Sequence, residues 1–376
     1  MKKSLVLLLI SSLVSGLYAR QPRTVVEPPF AFRNSGTLEI ERIELALEST
    51  TVYIQAYFRP HNWIRISSET YIRAGAEGEK LTVRSADGMP LDTEFYMPET
   101  GRHDFSLSFP PVDPKTAKID LIESDCPDCF KIYDIDLTGK KAKPGRSALA
   151  KKYKKTVPLT ENFTAPIVSD SPARIAGAIT GYDPRFFDRI EIAFYSPIVG
   201  DGATELKVPV HADGSFETEL NILTPICGTL FLPGFVTLPF YAEPGRETAL
   251  EIDLGAVYRK TSVFKELHPQ TSPVAYYGEL GRVNEELARL QKIQVRTGTH
   301  DRLTRIHGMR PEQYKQYVME ESARRLAQID TLKEFCPRSR EIAEKTVRAE
   351  TLIDLLNYST MMEHAYRTVN KLWDRS

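Results

Sequence analysis

The sequence predicts a β-rich N-terminal part, made of two antiparallel β-sandwich-like domains, followed by an all-α C-terminal segment. Three observations carry that expectation. Apolar residues alternate with period two over residues 25–137 and again over 173–254, and from Pro273 onward the period lengthens to about 3.6. The length of 376 residues, with 41% hydrophobic and 26% charged, suits two or three packed domains and excludes a disordered chain or a coiled coil. Lys and Arg total 49 against 50 Asp and Glu, so no overall field draws the chain to nucleic acid or to an acidic membrane.

Residues 1–19 read as a signal peptide. A basic Met1-Lys2-Lys3 start precedes an apolar run to Tyr18, and Ala19 supplies the small residue needed for cleavage after it. The run is too short for a comfortable membrane span, and no later segment is long enough, so the mature chain is expected to be exported, periplasmic or secreted, with no transmembrane segment. No Cys near the cleavage point offers a lipoprotein anchor.

The first β domain is placed at 25–138. In TVYIQAYF at 51–58, Val52, Ile54, Ala56 and Phe58 share one face, and in DFSLSF at 104–109 Phe105, Leu107 and Phe109 do the same before Pro110-Pro111 ends the strand. A basic linker follows at 139–165, where Lys140, Lys141, Lys143, Arg146, Lys151, Lys152, Lys154 and Lys155 stand without an acid among them. Such a run suits a solvated linker or contact with a polyanion. The scarcity of interleaved aromatics favours the linker and gives no ground for a nucleic-acid partner.

The second β domain is placed at 166–256. ELKVPV at 205–210 and SFETEL at 215–220 flank Ala212-Asp213-Gly214, a strong hairpin signal because Asp and Gly tolerate positive φ. Pro209 cannot donate to a ladder, which puts its strand at a sheet edge. After a turn in YAEPG at 241–245, the alternating LEIDL at 250–254 is expected to end the sheet. The helical domain is placed at 257–376. Pro273 marks a helix start, with Leu280, Val283, Leu287 and Leu290 on one stripe. A second helix begins near Pro311 and carries Tyr314, Tyr317, Val318 and Leu326, and a third begins near Arg338 with Leu352, Leu356, Ala365, Val369 and Leu372 on a broad apolar face. Those stripes are expected to be core more than docking surface, because single helices rarely hold themselves together.

The motif that stands out chemically is Cys126-Pro-Asp-Cys129. Lys118 to Ile122 precede it and a second alternating run, Phe130 to Leu137, follows, so it caps a β-hairpin. The candidate disulfide Cys126–Cys129 reads first as a structural clip. A redox pair, half a metal site and free thiols stand as alternatives. Redox pairs of the thioredoxin kind sit at a helix N-terminus, and zinc would need a second pair, which the lone Cys227 and Cys336 do not form. Those two read as small core hydrophobes, although they could pair with each other. His300 and His307 are seven apart, but no carboxylate at helical spacing completes a zinc site with them, and Gly308 points to a loop. No nucleotide-binding loop, esterase elbow or His-Glu-x-x-His occurs, so no metal, cofactor or catalytic residue is assigned.

Several segments carry a family resemblance: YFRPHNWIRI at 57–66, IDLIESDC at 119–126, FKIY at 130–133, IAGAITGY at 175–182, DGSF at 213–216 and YAEPG at 241–245. Together they resemble the long N-terminal region of TlpA-like, thioredoxin-fold disulfide reductases exported by Gram-negative gut and oral bacteria. The likeness spans about residues 25–375. In that family a β domain and a helical connector precede a thioredoxin domain with a Trp-Cys-x-x-Cys active site. The sequence ends at Ser376 within the helical part, so the resemblance implies a chain equivalent to the non-catalytic front, and no family catalytic residue maps onto it. Cys126 and Cys129 lie upstream, without the preceding Trp. The implied function is an exported binding or scaffolding protein of the cell envelope that acts on an envelope protein partner such as a separate thioredoxin-like protein. A truncated homologue with no independent role, and a thiol-disulfide oxidoreductase using Cys126 and Cys129, are the alternatives.

Overall fold

A computed structural model describes residues 23–139, 168–195, 202–293 and 299–372. The expected signal peptide at 1–19 and the basic run from Lys140 to Lys155 lie outside the described residues. The described residues form two compact units: those within 23–30 and 36–139 make one, and those within 31–35 and 168–372 make the other.

The first unit is all β among its described residues. One sheet runs in the order Arg23–Val26, Leu38–Leu45, Thr50–Tyr57, Arg102–Phe109, Ser85–Asp87, antiparallel throughout. Its inward positions follow from the alternation: Val52, Ile54, Ala56, Phe105, Leu107 and Phe109 are buried, and Leu107 pairs with Val52 as Phe105 does with Ile54. Phe58 departs from the expected face. The strand ends at Tyr57, and Phe58 turns outward as its amide donates to the Gly101 carbonyl at 3.0 Å. A second sheet places Lys131–Asp136, Lys118–Ile122, Tyr71–Arg73 and Leu81–Thr82 side by side. A two-stranded ribbon, Trp63–Ile64 with Phe95–Tyr96, completes the unit.

The second unit contains two four-stranded sheets and six helices among the described residues. The sheet Ala203–Pro209, Arg189–Tyr195, Ile226–Leu232, Val236–Ala242 is antiparallel, with the Pro209 strand at its edge. The other runs Ser215–Leu220, Ala173–Thr180, Glu247–Asp253, Val274–Tyr277, and in it Ala173–Thr180 and Glu247–Asp253 are parallel. That pairing closes a long crossover through the other sheet, which parallel neighbours require. Glu247–Asp253 is therefore interior and buried on both faces, and the sheet does not end there.

The Asp213-Gly214 turn forms as the residue types demand: Gly214 takes φ +81, and Asp213 Oδ1 accepts from the Ser215 amide at 3.0 Å. It is not a hairpin. Ala203–Pro209 pairs with Arg189–Tyr195 in one sheet and Ser215–Leu220 pairs with Ala173–Thr180 in the other, so the turn is a corner between sheets. Gly177 stands directly opposite Phe216, whose ring occupies the space a Cβ would need.

Pro273 begins no helix. Val274–Tyr277 adds to Glu247–Asp253 as an edge strand, where a preceding proline does no harm. The helices are α1 (Leu254–Arg259), α2 (Gly281–Ile293), α3 (Thr299–Ile306), α4 (Pro311–Thr331), α5 (Pro337–Leu356) and α6 (Tyr358–Val369). Pro311 and Pro337 occupy first-turn positions, where a missing N–H costs nothing. Asp253 caps α1 by accepting from the Ala256 amide at 2.9 Å.

The α2 stripe packs inward as expected, Leu280 and Val283 clustering with Tyr241, Cys336 and Ile342. Leu290 joins Ile329, Phe335, Ala343 and Val347, while Tyr314 and Val318 join Leu303, Ile306 and Ala365. The expected third helix breaks at Asn357 into α5 and α6, and its apolar face is mostly uncovered. Only Ala365 of the named face is buried. Leu352 is 61% exposed and Leu356 82%, and Val369 is exposed too.

Candidate functional site

Cys126 and Cys129 form a disulfide across the tip between Lys118–Ile122 and Lys131–Asp136, with Cα atoms 5.3 Å apart. The two strands are antiparallel and carry a register shift between Ile119 and Leu121. There the buried Asp120 carboxylate accepts from the Asp134 amide at 3.0 Å and pairs with Arg73 at 3.3 Å, which satisfies the irregular backbone. Above it the Glu123 amide donates to the Phe130 carbonyl at 3.0 Å, and the Glu123 carboxylate accepts from the Phe130 amide at 3.3 Å. The Ser124 hydroxyl lies 3.1 Å from Cys129 Sγ and accepts from the Cys126 amide at 3.4 Å. Cys126 is exposed and Cys129 half-buried.

No helix starts in this tip; residues 123–130 are turn and bend between two strands. The partial positive charge that a helix N-terminus offers a thiolate is therefore missing from the chain's own geometry here. Three carboxylates flank the pair in sequence, but the fold engages two of them. Asp125 is held by Lys80 at 2.6 Å and by the Tyr71 hydroxyl at 2.9 Å, and these bonds keep its carboxyl below the usual range. Burial, then the bond to Asp125, pushes Tyr71 up to about 12. Burial raises Glu123, against the opposing pull of amide bonds from Phe130 and Ser67. Lys80 also lies 4.7 Å from the Tyr71 ring centroid, a cation–π contact.

Tyr71, Arg73 and Lys80 are therefore part of this site, and sequence reasoning missed them. They stand 45 to 54 residues from their partners, and no local pattern links them.

The other singled-out residues are not brought to this tip. Cys336 is buried ahead of α5, its amide donating to Glu286 at 2.9 Å and its sulfur 3.1 Å from the Ser339 hydroxyl, and burial pushes the thiol up. Cys227 is exposed on Ile226–Leu232 opposite Tyr241, so it is not the core hydrophobe expected. His300 lies in α3, and His307 follows it with its ring 6.3 Å from that of Tyr366. Among the described residues no group of three or more His, Cys, Asp or Glu is placed to hold a metal ion, and no helix is long and apolar enough to cross a membrane.

A second constellation is the uncovered face of α5. Leu352 and Leu356 are one helical turn apart and Ile353, 55% exposed, lies beside them. On the opposite side of the same helix Val347 and Thr351 are buried against the bundle, Thr351 donating to the Ser322 hydroxyl at 2.8 Å.

No protein-family model matches the chain, and no curated protein matches it. Solved structures similar to it include pullulanase type I from Bacillus subtilis complexed with maltose, at 7% identity and a TM-score of 0.20, covering 51% of this chain and 23% of that one. Pullulanase from Anoxybacillus is similar at the same identity and TM-score, covering 51% of this chain and 24% of that one in its complex with maltotriose. Without that sugar the figures are 58% and 25%. The chain spans at most 25% of the length of these structures, and a likeness this low carries no argument about fold or activity.

Proposed function

We propose that this chain is an exported, non-catalytic binding or scaffolding protein of the bacterial cell envelope, built like the front part of a TlpA-like protein. Its proposed partner is another envelope protein, in the first instance a separate thioredoxin-like protein, as the family resemblance implies. The observation that carries the reading is the uncovered apolar row of α5, Leu352, Ile353 and Leu356, on a helix whose other side is already packed. Exposed apolar residues grouped on one element mark interaction surfaces more often than do single ones. The hairpin setting of Cys126–Cys129 supports the non-catalytic part, because a clip needs only a closed tip while a reductase needs an activated thiolate. The alternative, a thiol-disulfide oxidoreductase using that pair, draws on the solvent exposure of Cys126.

Photo-crosslinking in cells from position 353 tests the binding reading. One discrete envelope protein of thioredoxin fold is the expected product, lost in Leu352→Glu, Leu356→Glu. A folded double variant that retains the same adduct would contradict it.

A further inference from the structure

The small ribbon of the first unit sorts its four side chains by face. Ile64 is buried, and its cross-strand partner Phe95 stacks on His103 with ring centroids 4.1 Å apart. Trp63 and Tyr96 are the other direct pair and so project together from the opposite face, 49% and 60% exposed. The ribbon does not need them for its own closure. The inward pair holds it from below, and the His61 amide donates to the Met97 carbonyl at 3.0 Å while the Met97 amide donates to the Asn62 carbonyl at 2.9 Å. Two aromatic side chains on directly paired residues are thus held out to solvent on a backbone fixed by other contacts, which makes this face a platform.

The rim of the platform is polar and close to neutral. The Tyr96 hydroxyl donates to Glu94 at 3.0 Å, His61 and Glu99 are 2.7 Å apart, Arg65 lies 3.7 Å from Asp92, and the Asn62 amide donates to the Pro60 carbonyl at 3.1 Å. Arg59 adds one further cation on the exposed loop. That rim lacks the cationic track which accompanies base stacking on single-stranded nucleic acid. Two rings alone do not make the aromatic cage that encloses a quaternary ammonium, whereas the rim carboxylates, each accepting one bond, keep lone pairs that can accept from hydroxyls. What remains complementary is an uncharged ligand with one apolar face and hydroxyls at its edge. We propose that the Trp63–Tyr96 face is a binding site for a neutral saccharide, the rings covering the C–H face of a pyranose while Glu94, Glu99 and Asn62 meet its hydroxyls. The site is independent of the α5 row and of the partner proposed for it.

Titration calorimetry of the full chain with cellohexaose and with chitohexaose tests this. Saturable binding of at least one hexasaccharide at millimolar concentration or tighter is expected. Trp63→Ala and Tyr96→Ala should each weaken it by about tenfold or more, as for a truncated aromatic anchor. Trp63→Phe, which keeps a ring and guards against a folding artefact, should stay within about threefold on the same scale. Phe235→Ala removes an exposed aromatic of the second unit and should change nothing. Failure of both saccharides to bind, survival of binding in both natively folded alanine variants, or tighter binding of an oligothymidylate would each overturn the proposal.

Discussion

Replacing Asn284 by alanine should unfasten α2 from the sheet that it covers. Val236–Ala242 is an edge strand, and an edge residue facing away from its neighbour leaves an amide and a carbonyl without ladder partners. Asn284, fully buried, supplies them for Tyr241: its Oδ1 accepts from the Tyr241 amide at 2.7 Å and its Nδ2 donates to the Tyr241 carbonyl at 3.0 Å. Nδ2 also reaches the Leu280 carbonyl at 3.0 Å. The consequences of truncation differ by atom. The Tyr241 carbonyl keeps the Thr248 hydroxyl at 2.9 Å, and the Leu280 carbonyl keeps the Asn284 amide at 3.0 Å. Only the Tyr241 amide is orphaned, at about 1–3 kcal/mol, and the two weakened carbonyl sites add roughly 1 kcal/mol, so Asn284→Ala should lose about 3 kcal/mol. Every helix among the described residues lies in the second unit, so urea unfolding followed by helical circular dichroism reads this unit selectively. A loss under about 1 kcal/mol would refute the reasoning, since it would mean that water reaches the Tyr241 amide. Asn284→Asp adds a sign test. Its ionised carboxylate would face two carbonyls while the protonated form could still donate, so the folded-state pKa is raised and stability should fall as pH rises through it.

Three further outcomes follow from the same contacts. Removing the clip in Cys126→Ser, Cys129→Ser should cost about 2 kcal/mol or less by the loop-entropy argument, because the closed loop is short; a much larger loss in chemical denaturation would show that the pair holds more than the tip. Glu123→Gln should leave the first unit as stable as the parent in acid and more stable above the ordinary glutamate range, because burial raises the native carboxyl pKa and the parent alone loses stability as pH rises through it; a gap that does not grow between acid and neutral pH would contradict this. Leu352→Glu, Leu356→Glu should unfold within about 0.5 kcal/mol of the parent, as exposed substitutions do, whereas a loss of several kcal/mol would return that face to the core.

The strands at Thr50–Tyr57 and Arg102–Phe109 were legible because one face of each is buried and the other wet, which writes period two directly into the sequence. The hairpin that carries Cys126 and Cys129 was legible for the same reason. Destinations were not. Asp213-Gly214 dictates a turn, but nothing local says that the next strand joins a different sheet. Val274–Tyr277 is a short apolar run after a proline, and only its partner, Glu247–Asp253, makes it a strand and not a first helical turn. Helical periodicity put Leu352 and Leu356 on one face, yet periodicity cannot tell a covered face from an uncovered one. The surroundings of the disulfide were least legible, since Lys80 and Tyr71 reach Asp125 through tertiary structure alone.

Insulin reduction with dithiothreitol, run on the full chain beside its Cys126→Ser, Cys129→Ser variant, tests the non-catalytic account most directly. Both proteins should give the same rate as dithiothreitol alone, because no helix N-terminus activates either sulfur and the pair serves to close a hairpin. Turnover by the full chain that vanishes in the natively folded variant would contradict it and establish the pair as a redox centre.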